Sequence, residues 1–413
     1  MNSYVVALDV GGTAMKGGLV SASGEVLMTE RRVTPRADGP LRVVEAIRSF
    51  VGDLAAAGPG APSGVGLAVP GLVTEDRAVY SANIGWKDVP ATDFTPLNVP
   101  VRLGHDVRTG GLAESVLGAG RSVRDFLFLP IGTGIAGAVI IGGAPYGGSS
   151  GWGGEIGHIP VFPGGERCAC GQTGCLETYA SAASVARRYA ERLSRTASLH
   201  PPSGLRDTAG QPPTAAHLNS PRHSDTARHR HTAGHRDAGG ILDTSGLPDT
   251  PAFRSLSDRQ AAAGRHTAPG PSEEDITSLG TSPYVDDITA ARGTATAEDV
   301  VHLAMRGDPD AAAIWDDALE ALSYALATYT LLLDPSTIVL GGGLAEAGHA
   351  LLDPLAERLQ SRLTFRAAPP LRSAALGMNA GMLGAALLGW QAAGVPTPGT
   401  TWPLDVLRSP SVP

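Results

Sequence analysis

The chain opens with the run YVVALDVGGTAMKGGLV at residues 4–20, which contains two apolar arms separated by glycines. Tyr4–Leu8 is a short apolar run that Asp9 and two glycines close, and residues 17–20 have the composition of a second arm. Glycines between two apolar runs are typical of a β-hairpin. The sequence therefore predicts a strand, a glycine turn and a second strand at the start of the fold.

Strand-like and helix-like segments alternate after this hairpin. Apolar residues recur at helical spacing in 41–57 and 111–117, and strand-like runs cover 64–69 and 101–104. The pattern returns with strand-like runs at 126–130, 136–141 and 337–340 and a helix-like stretch at 314–333. Such alternation predicts an α/β fold. Since both halves carry glycine turns, we expect two lobes with a cleft between them.

Composition excludes several classes of protein. The 413 residues are 42% apolar and 17% charged, enough chain for two or three domains, and the net charge of −8 argues against a broad nucleic-acid surface. The first nine residues lack the basic region of a signal peptide. The most apolar later stretch, 126–145, is broken by Pro130 and five glycines. We expect a cytoplasmic protein without a membrane span and without a nucleic-acid partner.

Residues 196–296 differ from the rest of the chain. They contain ten prolines, seven of the eleven histidines and almost no aromatic residues. Such a segment cannot bury enough apolar surface to offset its ordering entropy, so we predict a disordered insertion. His229, His231 and His235 could bind a metal or an anion, but a solvated low-complexity loop is the preferred interpretation.

All three cysteines lie within eight residues, which is too few for a disulfide framework and favours a metal site in a reducing compartment. With one preceding histidine, the cluster is His158, Cys168, Cys170 and Cys175. Three thiolates and an imidazole suit tetrahedral zinc, and the alternative is three buried thiols near an unrelated histidine. Flanking acids at Glu155, Glu166 and Glu177 argue against a nucleic-acid-binding finger. Four protein ligands leave no position for a catalytic water, so we predict a structural zinc site.

Three glycine-rich turns, each after a strand-like run, could bind phosphates. They consist of Asp9 with Gly11, Gly12 and Thr13, of Gly132, Thr133 and Gly134, and of Gly341, Gly342 and Gly343. Backbone N–H groups at glycines approach phosphate oxygens without hindrance from a Cβ, and Asp9 could hold a hydrated magnesium ion. The third turn gives flat access for a purine ring or a ribose. Each turn alone could be an ordinary hairpin, but three together favour phosphate binding.

Asp106 follows the strand-like run 101–104 and precedes a helix-like stretch. Phosphoryl transfer to an alcohol needs a carboxylate that can take the hydroxyl proton, and Asp106 lies where a base in the cleft should be. The alternative is an N-cap for the helix, which is compatible with catalysis.

These residues together resemble the ROK family of repressors, open reading frames and sugar kinases. The matching motifs are Leu8-Asp9-Val10-Gly11-Gly12-Thr13, Pro70-Gly71, Asp106, Gly132-Thr133-Gly134, Glu155-Ile156-Gly157-His158, Cys168-Ala169-Cys170-Gly171-Gln172-Thr173-Gly174-Cys175-Leu176-Glu177, and Asp334-Pro335 before Gly341-Gly342-Gly343. The cysteine segment is the most specific of them. The resemblance is to zinc-containing, bacterial glucokinase-like members, and it implies an actin-like, hexokinase-type (ribonuclease H-like) α/β fold with an active-site cleft between two lobes. Residues 1–118, completed by a C-terminal helix at about 376–392, would form the small lobe. Residues 119–375, with the zinc loop 158–177 and the insertion, would form the large lobe.

The resemblance also implies an activity and a role for each motif. The activity is ATP-dependent phosphorylation of a hexose or N-acetylhexosamine at its 6-OH, with Asp106 as the base and Mg²⁺ accompanying ATP. The implied sugar contacts are Gly71, Asn83, His105, Asp106, Glu155, His158 and Glu177. Because His158 would also ligate zinc, the ion would hold the sugar-binding loop in shape. Asp9 would position magnesium, the first two glycine turns would hold the phosphates, and Gly342 would lie near the nucleoside. A homo-oligomer, a dimer or a tetramer, is expected from the family.

His105 departs from the family pattern, which usually has asparagine directly before the catalytic aspartate. An imidazole can replace one donor or acceptor of an amide but not both at its spacing, so the identity of the sugar stays open. A second hypothesis is a catalytically weak sugar sensor without a DNA-binding domain. A ROK repressor would need a helix-turn-helix domain before the first strand, whereas here the first strand begins at residue 4.

Overall fold

The opening apolar run forms the central strand of a five-stranded sheet. The computed structural model of the protein describes residues 3–199 and 295–403. The strands of the first sheet are β1 (Tyr4–Val10), β2 (Ala14–Ser21), β3 (Val26–Val33), β4 (Val65–Val69) and β8 (Val101–His105), in the order β3-β2-β1-β4-β8. Strands β1 and β2 are antiparallel with Asp9 opposite Lys16, whereas β4 and β8 continue the sheet in parallel. The predicted hairpin is confirmed.

A second sheet repeats this arrangement. Its strands are β9 (Phe126–Pro130), β10 (Ala138–Ile141), β11 (Ala144–Tyr146), β12 (Thr337–Gly341) and β13 (Leu371–Ser373), in the order β11-β10-β9-β12-β13. As in the first sheet, one side is antiparallel and the other is parallel. A small third sheet consists of β5 (Leu72–Val73), β6 (Arg77–Tyr80) and β7 (Lys87–Pro90).

Eight α-helices accompany these sheets in the described ranges. They are α1 (Pro40–Ala57), α2 (Asp106–Leu117), α3 (Glu177–Ala180), α4 (Ala182–Leu199), α5 (Ala297–Met305), α6 (Pro309–Leu333), α7 (His349–Arg362) and α8 (Ala380–Ala392). The α/β class is confirmed, as is the helix expected at 41–57.

Helices α2 and α6 each begin five residues before the segment that periodicity predicts. The caps explain the difference. Asp308 accepts a hydrogen bond from the N–H of Ala311 at 2.7 Å and starts α6, and His105 starts α2 in the same way. A capped first turn needs no apolar residue, so an apolar pattern misses it.

Helix α8 joins the two sheets. It contacts β1, β4, β8 and α2. Its apolar residues belong to one core with Val5 and Ala7 of β1 and Phe126 and Phe128 of β9. The opposite face of the first sheet packs on α1, and the opposite face of the second sheet packs on α3–α7. All described residues thus belong to one compact unit, in which α8 is the shared layer.

The division into lobes at residue 118 stays a prediction. Most of the predicted insertion at 196–296, including its histidines, lies outside the described residues. Within 3–199 and 295–403, no helix has the length and apolar content needed to cross a membrane.

Candidate active site

Three parallel strands of the first sheet end at one edge. The register places Asp9 of β1 beside Ala68 of β4, and Val69 of β4 beside His105 of β8. In open α/β sheets this edge is where ligands bind. The structure therefore brings Asp9, His105 and Asp106 to one edge of the first sheet.

Gly71 and Asn83 lie beside this edge. Gly71 has φ +99°, and a Cβ there would overlap the carbonyl oxygen of Tyr80, so the position requires glycine. That close approach holds the connection between β6 and β7 next to the end of β4. Asn83 is exposed in this connection. Contacts within the described part of the chain do not join Asn83 to the other predicted sugar-binding residues.

Asp9 packs against the start of α8. A Cβ on Gly381 would overlap the Asp9 carboxylate, so only glycine leaves room for it. Burial, and next the negative charge of Asp106, raise the pKa of Asp9 to about 7, although Lys16 opposes the shift. Lys16 donates to the carbonyl oxygen of Met378 at 3.3 Å. The ionised form of Asp9 is therefore disfavoured unless a cation binds beside it.

His105, not Asp106, is the N-cap of α2. Its Nδ1 accepts from the N–H of Arg108 at 3.5 Å and also lies 3.1 Å from the Oδ1 of Asp106. Burial lowers the pKa of His105, with Asp106 opposing, so the imidazole is neutral at pH 7. The N-cap alternative for Asp106 is wrong, because Asp106 is the first helical residue and its Oδ1 accepts from Val107 N–H at 2.8 Å.

Arg108 connects α2 to the glycine-rich loop that follows β11. Its guanidinium donates to the carbonyl oxygens of Gly151 at 2.9 Å and Gly153 at 3.3 Å. Burial lowers its pKa, and the charges of Glu155 and Asp106 oppose the shift. Arg108 therefore ties the loop that carries Glu155 to the helix that carries Asp106.

The predicted metal ligands converge. One ligand atom from each of His158, Cys168, Cys170 and Cys175 lies within 4.8 Å of the others. The Sγ of Cys168 is 3.7 Å from the Nδ1 of His158, and the Sγ atoms of Cys170 and Cys175 are 3.7 Å apart. Tetrahedral zinc with bonds of about 2.0–2.3 Å separates its ligands by about 3.3–3.8 Å. The cluster could therefore bind such an ion with little movement.

Two acidic residues adjoin this cluster. Glu177, at the start of α3, places Oε1 3.5 Å from the Nδ1 of His158 and accepts from the Sγ of Cys168 at 3.3 Å. On the other side of the ring, His158 Nε2 is 4.0 Å from Glu155 Oε2. Burial raises the pKa of Glu155, His158 lowers it, and Asp106 raises it further. The metal-ligand cluster thus contacts both glutamates predicted to bind sugar.

The glycine turns of the second sheet pack on each other. The N–H of Ile131 donates to Gly341 at 2.8 Å, and the N–H of Leu344 donates back to Ile131 at 3.2 Å. Gly342 has φ +76°, and a Cβ there would overlap the carbonyl oxygen of Ile131. A Cβ on Gly132 or Gly343 would meet only open space. The two predicted nucleotide-binding turns therefore form one surface with open approaches.

Comparison with known proteins identifies the family. The sequence model of the ROK family matches residues 5–211 and 284–392. The chain belongs to the ROK family. It is 28% identical over 397 residues to a glucokinase of Halalkalibacterium halodurans, with 94% of each chain covered. It is also 31% identical to the xylose repressor of Bacillus subtilis, over 184 residues that cover 43% of this chain and 48% of the repressor.

The fold matches solved ROK structures. A ROK glucokinase from Streptomyces griseus, in complex with glucose and AMPPNP, superimposes with a TM-score of 0.63 at 25% identity, covering 94% of this chain and 100% of that chain. The expected actin-like, hexokinase-type two-lobed α/β fold is confirmed. The individual roles of the site residues in this ROK protein stay predictions, as does its oligomeric state.

Three basic residues near the candidate site were not predicted from the sequence, namely Lys16, Arg108 and Arg36, whose Nη1 lies 3.7 Å from the position that a Cβ on Gly12 would occupy. Lys16 is one of two lysines in the chain and faces Asp9 in the hairpin register, a signal that was available. Arg36 and Arg108 reach the site only through tertiary contacts, for which the sequence carries no local signal.

Proposed function

We propose that this ROK protein is a sugar kinase that transfers phosphate from ATP to the 6-OH of a hexose or N-acetylhexosamine. The observation that carries the proposal is that Asp106 lies near two other acids. Its charge acts on Asp9 at the end of β1 and on Glu155 in the loop after β11. A group between a phosphate-binding turn and a sugar-binding loop lies where proton transfer is needed.

Asp106 is suited to act as the general base. Its Oδ1 accepts from Val107, which orients the carboxylate, and its Oδ2 has no hydrogen-bond partner among the residues that the structure describes. An oriented carboxylate with a free oxygen can accept the proton of a sugar hydroxyl as the bond to phosphorus forms. Asp106 would thus take the 6-OH proton.

The turns of the two sheets would hold the nucleotide. Gly12 and Thr13 on one side, and Gly132 and Thr133 on the other, offer N–H and hydroxyl groups to phosphate oxygens. Magnesium bound with ATP would neutralise phosphate charge, and the Asp9 carboxylate would hold its hydration shell. The raised pKa of Asp9 supports this role, because a cation would favour the ionised form.

The metal-ligand cluster would bind zinc with a structural role. Nδ1 of His158 lies on the side of the cysteines, whereas Nε2 lies on the side of Glu155. A ring fixed through Nδ1 would present its Nε2–H to a sugar hydroxyl. Zinc would in this way hold His158, Glu155 and Glu177 in their positions, and its loss would loosen the sugar site.

A catalytically weak sugar sensor is the second candidate. The observation that favours it is His105, whose Nδ1 is used in capping α2. Only its Nε2 remains for a sugar, as one donor or one acceptor, whereas the asparagine of the family offers both. The similarity to a xylose repressor is compatible with this candidate.

A sugar panel separates the candidates. ADP release from Mg-ATP is measured with glucose, mannose, fructose, N-acetylglucosamine and N-acetylmannosamine, and sugar binding is followed by calorimetry. We expect turnover of one sugar and a loss of about 10²- to 10⁴-fold in kcat for Asp106→Asn, with the sugar Kd little changed. The exposed Asp93→Asn is the matched control.

Each outcome of the panel is informative. A kcat for Asp106→Asn within tenfold of the wild type would show that Asp106 is not the base. Sugar binding without turnover would support the sensor, and His105→Asn would then test whether the amide of the family restores activity.

A further inference from the structure

An arginine lies over the first glycine turn. Arg36 begins a short 3-10 helix after β3, and its Nη1 is 3.7 Å from the position that a Cβ on Gly12 would occupy. Within residues 3–199 and 295–403, the Arg36 guanidinium has no hydrogen bond and no ion pair. Arg32, four residues earlier on β3, pairs instead with Glu30 and Asp53.

The backbone that carries Arg36 is fixed to the turn. The hydroxyl of Thr34 donates to the carbonyl oxygen of Gly11 at 2.7 Å, and its N–H donates to Thr13 at 3.0 Å. The N–H of Arg36 then donates to Thr34 at 2.8 Å, and the N–H of Gly39 donates to Arg36 at 3.2 Å. The position of Arg36 over the turn therefore follows from ordered backbone contacts.

Two donors of the turn are also unused. The N–H of Gly11 donates to Ala14 at 2.9 Å, but the N–H groups of Gly12 and Thr13 have no hydrogen-bond acceptor in the described part of the chain. Unpaired backbone N–H groups beside an unpaired guanidinium form a site for an anion. A guanidinium matches the geometry of phosphate oxygens and can donate two parallel bonds.

The negative charges around the turn favour an additional cation such as the Arg36 guanidinium. Asp9 and Asp106 would repel a polyphosphate, and the nearby ammonium of Lys16 is engaged with Met378. Arg36 approaches the turn from the segment after β3. Without Arg36, magnesium alone would have to neutralise the two carboxylates and the phosphates. Arg36 would supply part of the positive charge that this requires.

We propose that Arg36 binds a terminal phosphate of the nucleotide at the turn formed by Gly11, Gly12 and Thr13. The proposal rests on the proposed function only in taking a nucleotide as the ligand. It makes Arg36 a binding residue for the phosphoryl donor, with no contact to the sugar.

Calorimetry with Mg-AMPPNP, Mg-ADP and adenosine tests the proposal without requiring turnover. We expect Arg36→Gln to weaken Mg-AMPPNP binding by about 10- to 100-fold and to reduce its salt dependence. Adenosine and sugar affinities should be unchanged, and Arg36→Lys should recover part of the loss. Arg42→Gln is the matched control, because Arg42 is exposed on α1 of the same half and pairs with Glu45.

The results distinguish this proposal from the kinase proposal. Mg-AMPPNP affinity in Arg36→Gln within twofold of the wild type would overturn it, as would a wild-type protein that binds no nucleotide. If the wild type phosphorylates no sugar but needs Arg36 to bind Mg-AMPPNP, the role of Arg36 stands and the kinase proposal fails. A larger loss for Mg-AMPPNP than for Mg-ADP would assign the contact to the γ-phosphate.

Discussion

The two five-stranded sheets have the same strand order but present different chemistry at their strand ends. In the first sheet, Asp9 is the penultimate residue of β1, and β8 leads directly into Asp106. In the second sheet, the corresponding ends are Pro130 of β9 and Ser373 of β13, which offer no side-chain carboxylate.

The part of the chain that contains the second sheet has its acidic site residues on a loop and at the start of α3 instead. Glu155 and Glu177 lie beside the cluster of one histidine and three cysteines, and both contact His158. A strand end is held by ladder hydrogen bonds, whereas a loop residue needs another support. A side chain can therefore be positioned either by the sheet or by a local cross-link, and each support can be broken separately.

Replacement of Asp9 by asparagine should have the largest effect, because it makes the first turn as free of charge as the second. We expect kcat to fall by about 10³-fold or more, since no carboxylate remains to hold the magnesium of Mg-ATP. Adenosine binding should persist, which separates this loss from a collapse of the site.

Asp9→Asn should lower activity but raise the stability of the fold. Burial raises the pKa of Asp9 from 3.8 to about 7, so the folded state binds the proton more tightly than the unfolded state. Stability therefore falls as pH rises from about 4 to 7 and is then constant, a cost of up to about 4 kcal/mol above pH 7. Urea unfolding without magnesium should show that Asp9→Asn stabilises the protein more at pH 8 than at pH 5. An equal effect at both pH values would contradict the raised pKa.

Removal of the metal should weaken sugar binding but not nucleotide binding at the Asp9 turn. We expect Cys170→Ser, at the exposed member of the cluster, to lose bound zinc and to weaken sugar affinity at least about tenfold. Mg-AMPPNP binding should remain within a few fold, because the Asp9 turn does not depend on the cluster. Metal content by mass spectrometry and sugar affinity by calorimetry provide the test, with Gln172→Ser in the same loop as the control. Full sugar affinity in a metal-free protein would show that the loop needs no cross-link.

The smallest effects are expected at two adjacent glycines, which serve as each other's control. Gly342→Ala forces a side chain onto a residue at φ +76° and against the carbonyl oxygen of Ile131, whereas Gly343→Ala meets open space. We expect Gly342→Ala to cost about 1–3 kcal/mol of stability and to raise the KM for ATP several-fold. Gly343→Ala should change stability by less than about 1 kcal/mol. Equal effects would show that the backbone contact at Gly342 does not shape the turn.

Local patterns in the sequence predicted the parts of the fold that local forces determine. The hairpin of β1 and β2 follows from two apolar arms and the glycines between them. The metal-ligand cluster follows from the chemistry and spacing of four residues. The start of α2 did not follow, because a histidine cap lies outside the apolar period.

The tertiary part of the site could not be predicted in this way. Arg108 reaches carbonyl groups 43 and 45 residues further along the chain. Arg36 lies over Gly12 only because the segment after β3 returns to the first turn. No periodicity or motif indicates which distant residue a long side chain will contact. These contacts are therefore visible only in the structure.

The shared layer formed by α8 has a consequence for synthesis of the chain. Strand β4 ends at Val69, and the helix that covers it begins at Ala380. At about 5–20 residues per second, a ribosome needs roughly 15–60 s to make the stretch between them. During that interval one apolar face of the first sheet lacks its covering helix. The nascent chain thus carries a surface that chaperones can bind, and a transcript truncated before codon 380 would yield a product that keeps this surface open.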